Sequence, residues 1–285
     1  MFNALVWGTS WWPFRQLESH GLHPLWATVF VYLLAVVAIG LARPGAFGQL
    51  MRAPALWILV LASGFTNAAF NWGVVIGDVV RVVLLFYLMP LWTALLARVL
   101  LREPLTPMAG IRVVCALVGA LIVLWPEGRG LGWEAMPYPR ALPDWLGLAG
   151  GFSFALNNVM LRREAARPQE ARALAMFIGG ALVSATLATV LSSQGLAPWP
   201  PALGSGWALA ALALAGMFIL SNLSLQHGAA RLPANVTSVV MLSEVVFASV
   251  SAVALGGGHL TAPLLTGGGL IIGAALLAAS QGGHG

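Results

Sequence analysis

Apolar runs of near-membrane length, following one another with only short polar punctuation, constrain this chain more than any other feature. They cover residues 2–18, 23–41, 54–76, 79–101, 107–125, 143–161, 171–192, 205–227, 232–255 and 261–280. A helix needs about 20 apolar residues to cross the hydrocarbon core of a bilayer. The 285 residues therefore accommodate ten crossings and very little else. Hydrophobic residues make up 59% and charged residues 8% of the chain, against about 25% charged in a soluble domain. Too few charges remain to wet a globular surface, which excludes a soluble enzyme, a disordered chain and a disulfide scaffold. The reading is an all-α integral membrane protein forming one membrane domain. A multi-pass protein of the bacterial inner membrane is expected, surrounded by lipid and present as a monomer.

All 14 basic residues are arginine, against nine acids, for a net charge of +5. They are scattered at segment ends with no basic run and no interleaved aromatics, so a nucleic-acid partner is not expected. Their distribution carries topology. Arg43, Arg52, Arg98, Arg102, Arg112, Arg162, Arg163, Arg167, Arg172 and Arg231 fall on one side of the ten-segment map; Arg15, Arg81, Arg129 and Arg140 fall on the other. The positive-inside rule then places both termini in the cytoplasm. The first apolar stretch lacks the charged flank and cleavage site of a signal peptide and is expected to be the first helix, although Pro13 and Arg15 interrupt it. Trp57, Trp125, Trp145, Trp199 and Trp207 stand at or near segment ends, as an interfacial aromatic belt would. The single cysteine, Cys115, cannot form an intrachain disulfide.

Displacing the chain against itself by 155 positions superposes the third to fifth segments on the eighth to tenth. Asn67 falls on Asn222, Asn71 on Gln226, Gly73 on Gly228, and Leu105-Thr106 on Leu260-Thr261. Matched polar residues in mid-segment are harder to obtain by chance than matched leucines. The expected organisation is a five-helix repeat over 1–126, an outer linker over 127–142 rich in proline, and a second five-helix repeat over 143–285. Five is odd, so the second repeat enters the membrane from the opposite side. Such inverted repeats build transporters with a site at the repeat interface.

Signatures of enzymatic chemistry are missing. No cysteine or histidine cluster has metal-ligand spacing, no phosphate-binding loop is present, and no cofactor is expected. The polar residues placed inside the segments are instead suited to a small-molecule cavity. Asn67 and Asn71 are one turn apart on one helix face, repeated by Asn222 and Gln226. Amides both donate and accept, which suits a zwitterionic or neutral polar solute. Interhelical hydrogen bonding is the competing role for the same residues. Pro90 removes a backbone hydrogen bond from the fourth segment and frees a carbonyl near Phe86 and Tyr87, a break that persists at bilayer depth where it lines a cavity or is covered by neighbours. Tyr87 and Trp92 flank it, and Trp7 and Trp72 are further candidate walls. Glu244 is the one acid well inside a segment. A carboxylate at the bilayer centre costs about 2.5–3.5 kcal/mol, so Glu244 is expected to face the interior as a proton site or as partner to a substrate ammonium. Asn157 and Asn158 are expected toward the inner mouth. Gly147-x-x-x-Gly151 and Gly269-x-x-x-Gly273 permit close helix packing.

The chain resembles the drug/metabolite transporter superfamily in its two-repeat branch with EamA-type domains. The resemblance rests on Trp7-Gly8-Thr9, on Asn67-x-x-x-Asn71-Trp72-Gly73, and on Tyr87-Leu-Met-Pro90-Leu-Trp92 running through Arg102-Glu103-Pro104-Leu105-Thr106. Ser243-Glu244-Val245-Val246-Phe247-Ala248 forms the second copy. The tyrosine–x–x–proline and the early tryptophan are similar to YddG-type amino-acid exporters. That likeness implies export of small metabolites, amino acids including aromatic ones, by alternating access around a central site. Where many relatives carry Glu-Pro in the ninth segment this chain has Glu244-Val245, which removes the proline on which a kink there would rest.

Overall fold

A computed structural model describes residues 1–77, 79–104, 106–125, 139, 141–202, 207–255 and 261–281. Most of the expected linker over 127–142, and both Leu105 and Leu260 of the repeat alignment, lie outside these residues. Among the described residues the regular structure is entirely helical. Helices α1 (Phe2–Thr9) and α2 (Trp11–Ser19) divide the first apolar run, followed by α3 (Pro24–Ala42), a short α4 (Gly45–Met51) and α5 (Pro54–Ile76). The fourth run is divided into α6 (Val79–Phe86) and α7 (Met89–Leu96), the latter continuing into a π turn over Ala97–Leu101; α8 (Pro107–Leu124) follows. The second half contains α9 (Leu142–Arg163), α10 (Gln169–Ser193), α11 (Trp207–Arg231), α12 (Ala234–Met241), α13 (Ser243–Ala254) and α14 (Ala262–Gln281).

Four stretches are each long and apolar enough to cross a membrane: Pro24–Ala42, Val82–Leu101, Gln169–Ser193 and Trp207–Arg231. Gly45–Met51 with Pro54–Phe70 adds a fifth if this pair, bent by 98°, is taken as one. Leucine, phenylalanine and tryptophan side chains cover much of the outer surface, among them Leu41 at 79% and Leu209 at 77% exposure. Lipid is the environment that accommodates such a surface. The chain is an all-helical membrane protein.

Helix starts follow from local chemistry. Prolines open α3, α5 and α8, where a missing N–H costs nothing. The Thr106 hydroxyl accepts from the Ala109 N–H to cap α8. The π turn ends at Arg102, a non-glycine residue at φ 57°, and the Glu103 N–H reaches back to the Ala97 carbonyl. That left-handed turn presents the Glu103 side chain to the second half of the chain.

The 155-residue spacing that aligns the polar residues also aligns helix ends. Val79–Phe86 maps onto Ala234–Met241, and Pro107 maps onto Ala262. The break after Phe86 therefore recurs after Met241, although no proline stands there. Two different devices produce it. In the first half Pro90 leaves the Phe86 carbonyl without its donor, and that oxygen rests against Gly151 of α9, where a Cβ would collide with it. In the second half the Ser243 hydroxyl donates to the Val240 carbonyl at 2.7 Å, and the Leu242 and Val245 N–H groups make tight i→i−3 bonds. The ninth segment is thus broken without the proline on which a kink there would rest. A third break, at Ser10, is made in the same manner by its hydroxyl on the Trp7 carbonyl at 2.7 Å.

Small residues set the helix contacts. Gly147 and Gly151 lie against the Val82 and Phe86 backbone, so this glycine pair packs within the chain. Gly269 and Gly273 meet nothing within 4 Å; the contact of α14 with α8 is made instead by Gly267 and Gly119, each against the other's carbonyl. The tryptophans divide similarly. Trp57, Trp145 and Trp199 are exposed, but Trp207 is 3% exposed and packs on Phe30 with ring centroids 5.0 Å apart. It is a core residue and not an interfacial anchor.

Candidate functional site

All three helix breaks border one central cavity of about 540 Å³. Both halves of the chain contribute to its wall. Trp7 and Phe14 of the first run, Tyr32 of α3 and Asn67 of α5 meet Phe218 and Asn222 of α11 and Glu244 of α13. Gly8 makes this meeting possible, since a Cβ there would lie 2.6 Å from the Glu244 carbonyl. The Trp7-Gly8 motif thus lays an aromatic ring in the cavity wall while letting α1 press against the α13 backbone.

Aromatic rings form two groups in the wall. Phe218 is in contact with Trp7 (4.7 Å between centroids), Phe14 (6.1 Å) and Tyr32 (6.2 Å). Phe86 is in contact with Phe70 (4.9 Å), Phe154 (5.8 Å) and Tyr87 (5.9 Å). Polar groups punctuate them. Asn67 Oδ1 accepts from the Tyr32 hydroxyl at 3.2 Å, and its Nδ2 donates to the Ser63 carbonyl at 2.9 Å. Asn222 Nδ2 donates to the Met176 sulfur at 3.3 Å. Asn3 Nδ2 donates to the Ser221 hydroxyl at 2.7 Å. Glu244 is half-buried at the cavity, and no basic side chain is among the described lining residues.

The residues singled out from the sequence separate into two sets. Trp7, Asn67, Tyr87, Asn222 and Glu244 come together at the cavity. Trp72 packs instead against the cluster of Leu25, Ala188, Leu191 and Ala197, and Trp92 stands edge-on to Phe152 at 5.9 Å. Trp72 is five residues from the lining Asn67 on one helix, a rotation of about 140°, and Trp92 lies past the break, in α7. Gln226 is fully buried one turn beyond Asn222. Its amide meets that of Asn222 at 2.6 Å; with its oxygen turned toward α10, it accepts from the Ala173 N–H and donates to the Gln169 carbonyl. Pro90 is buried in the first turn of α7 and acts on the cavity through the break. The Asn71 side chain lies outside the described residues. Asn3, Tyr32 and Phe218 line the cavity without having been singled out. Asn3 stands almost at the chain start and the others on faces rich in aromatics, so no polar spacing marks them. Asn157, expected at an inner mouth, lies in the cavity wall, whereas Asn158 does not.

The lining reaches Pro24 and Ser249 at one end. The other end is filled. Ala97, Val159 and Ala234 are buried there with Leu96, Leu100 and Leu101 packed on them. Over this plug the Glu103 carboxylate accepts from the Ala234 N–H at 3.2 Å and pairs with the Arg162 guanidinium at 3.8 Å. Arg162 also donates to the Ala230 carbonyl. Burial pushes the Glu103 carboxyl above the usual carboxylate range; the Ala234 N–H and Arg162 draw it partly back. Among the described residues no group of three or more His, Cys, Asp or Glu is placed to hold a metal ion.

Comparisons with known proteins agree with this architecture. Residues 1–125 match the EamA-like transporter family. The chain is 29% identical over 147 residues to the chloramphenicol-sensitive protein RarD of Pseudomonas aeruginosa, a match that takes in 47% of this chain and 46% of that protein. The matched region thus spans about half the length of that relative. A protein of known crystal structure shares the fold at a TM-score of 0.76 and 22% identity, over 99% of this chain and 95% of its own. The chain is a helical membrane protein whose first 125 residues match the EamA-like transporter family.

Proposed function

We propose that this chain is a secondary transporter that exports small metabolites across the bacterial inner membrane by alternating access. Amino acids, including aromatic ones, are the leading substrate class. Ten crossings in two inverted repeats, with both termini in the cytoplasm, would set the cavity on the pseudo-symmetry axis. The observation that carries this reading is a cavity shared by both halves, lined to one end of the bundle and sealed at the other by an apolar plug under a polar clasp. Alternating access requires such a seal to be separable, and hydrogen bonds and small side chains separate at low cost. Aromatic walls suit an apolar side chain, while Glu244 suits an ammonium group.

Cysteine substitution tests the pathway. In a Cys115-free chain, cysteines at Asn67 and Tyr87 are expected to react with a polar thiol reagent and to be protected by a transported solute. Protection of both sites under every condition would reduce the amide face to packing. An organic cation is the second reading, favoured by Glu244 in a wall whose described residues include no basic side chain. Competition between an amino acid and a hydrophobic ammonium ion for the same labelled uptake separates the two.

A further inference from the structure

Asn157 differs from the other amides in the cavity wall. It is 1% exposed, and neither its Nδ2 nor its Oδ1 has a hydrogen-bond partner in the protein. Asn67 is engaged by Tyr32 and Ser63, and the Asn222 donor by Met176. Asn3 leaves its Oδ1 unpaired but commits its Nδ2 to Ser221. Among these four amides, Asn157 alone holds an uncommitted donor; the residue belongs to the cavity wall, and its amide atoms are covered within it. Buried amides in folded proteins are almost always satisfied, and one left open in a cavity wall is placed to take a partner from a solute in that cavity.

We propose that Asn157 reads the carboxylate end of the transported solute, its Nδ2 donating to a carboxylate oxygen. In doing so it sets the preference for amino acids over amines that lack a carboxylate. The assignment rests on the amino-acid reading above and deepens it. With no basic side chain among the described lining residues, a neutral donor has to receive the carboxylate, and an amide does so without bringing a second charge into the bilayer. Glu244, in the same wall, receives the ammonium group. Asn158 supplies the contrast: its amide is equally buried and equally without a partner, but it lies outside the cavity wall.

The test is uptake of labelled phenylalanine and of labelled phenethylamine into proteoliposomes holding the full chain. Asn157→Asp replaces the donor by an acceptor, and Asn157→Leu removes hydrogen bonding at near-constant volume. Both are expected to lower the phenylalanine to phenethylamine rate ratio at least tenfold, while Asn158→Leu leaves the ratio at the parent value. Asn157→Leu is also expected to melt no lower than the parent, since it removes a buried amide that no protein group satisfies. It decides the matter if Asn157→Asp does not fold. An unchanged ratio in Asn157→Leu, or an equal change in Asn158→Leu, overturns the assignment. A parent protein that moves neither solute overturns the amino-acid reading itself, so the parent decides that reading and the ratio decides the role of Asn157.

Discussion

Glu103 and Ala234, 131 positions apart, are joined by a hydrogen bond of 3.2 Å from the Ala234 N–H to the Glu103 carboxylate. The bond ties the turn after α7 to the first turn of α12, across the two halves of the chain. It satisfies one of the backbone donors that a helix start leaves open, and with Arg162 it covers the plug around Ala97 and Val159. Glu103→Ala should loosen this end. The expected result is a several-fold faster reaction of a cysteine placed at Ala97, in a Cys115-free chain, with a polar thiol reagent. An unchanged rate would mean that the plug alone closes the cavity.

The same carboxylate makes stability depend on pH with a definite sign. Burial raises the folded-state pKa of Glu103 above its unfolded value. Its favourable contribution is complete below the unfolded pKa, about 4.3, and is lost as pH rises through the folded value. Glu103→Gln keeps an acceptor for Ala234 without the charge. Its melting temperature relative to the parent should therefore rise between pH 4 and pH 8. A fall over that range would show that Arg162 outweighs burial.

His23 is expected to act in the opposite direction. Its Nδ1 accepts from the Leu25 N–H at 3.3 Å to cap α3, which only the neutral ring can do. Burial lowers its pKa, with Glu18 opposing. The contribution is present above the unfolded pKa of about 6.5 and is lost as pH falls through the folded value. His23→Asn preserves a capping oxygen at every pH and should flatten the loss of stability on acidification, a difference of about 1 kcal/mol. Thermal melts across pH 5–7 measure it.

Gly151→Ala would push a Cβ into the Phe86 carbonyl, which is backbone and cannot turn aside. The expected cost is about 1–3 kcal/mol, with altered geometry at Tyr87 in the next position. Gly273→Ala, which meets nothing within 4 Å, should be neutral and serves as the comparison in the same melting assay.

Most helix positions were legible in the chain because apolar runs and prolines dominate it. Pro24, Pro54 and Pro107 mark three starts, and the Asn67–Asn222 match revealed a spacing that also fits the ends of α6 and α12. The break after Met241 was not legible. It depends on a serine hydroxyl bonding back to Val240, and a serine elsewhere in the chain does this without interrupting a helix, as Ser251 does on Ala248 within α13. Within the site, the expected residues that meet at the cavity share a face with Asn67 or lie near a break. Trp72 and Trp92 are close to lining residues in sequence only: five helical positions turn Trp72 away from Asn67, and Trp92 lies past the break, in α7. Asn157 was found only in part, because depth along a helix is readable from sequence whereas the free state of an amide depends on neighbours from other helices.

Counterflow of labelled phenylalanine in proteoliposomes, parent against Glu244→Gln, tests the central claim most directly. Glu244→Gln retains shape and hydrogen bonding while fixing a neutral side chain in the cavity wall. The account predicts saturable exchange by the parent and at least a tenfold loss in a Glu244→Gln protein that elutes and melts like the parent. Saturable exchange at the parental rate across pH 5–8 would contradict a role for Glu244 in transport, and the absence of exchange by the parent would contradict the amino-acid pathway through this cavity.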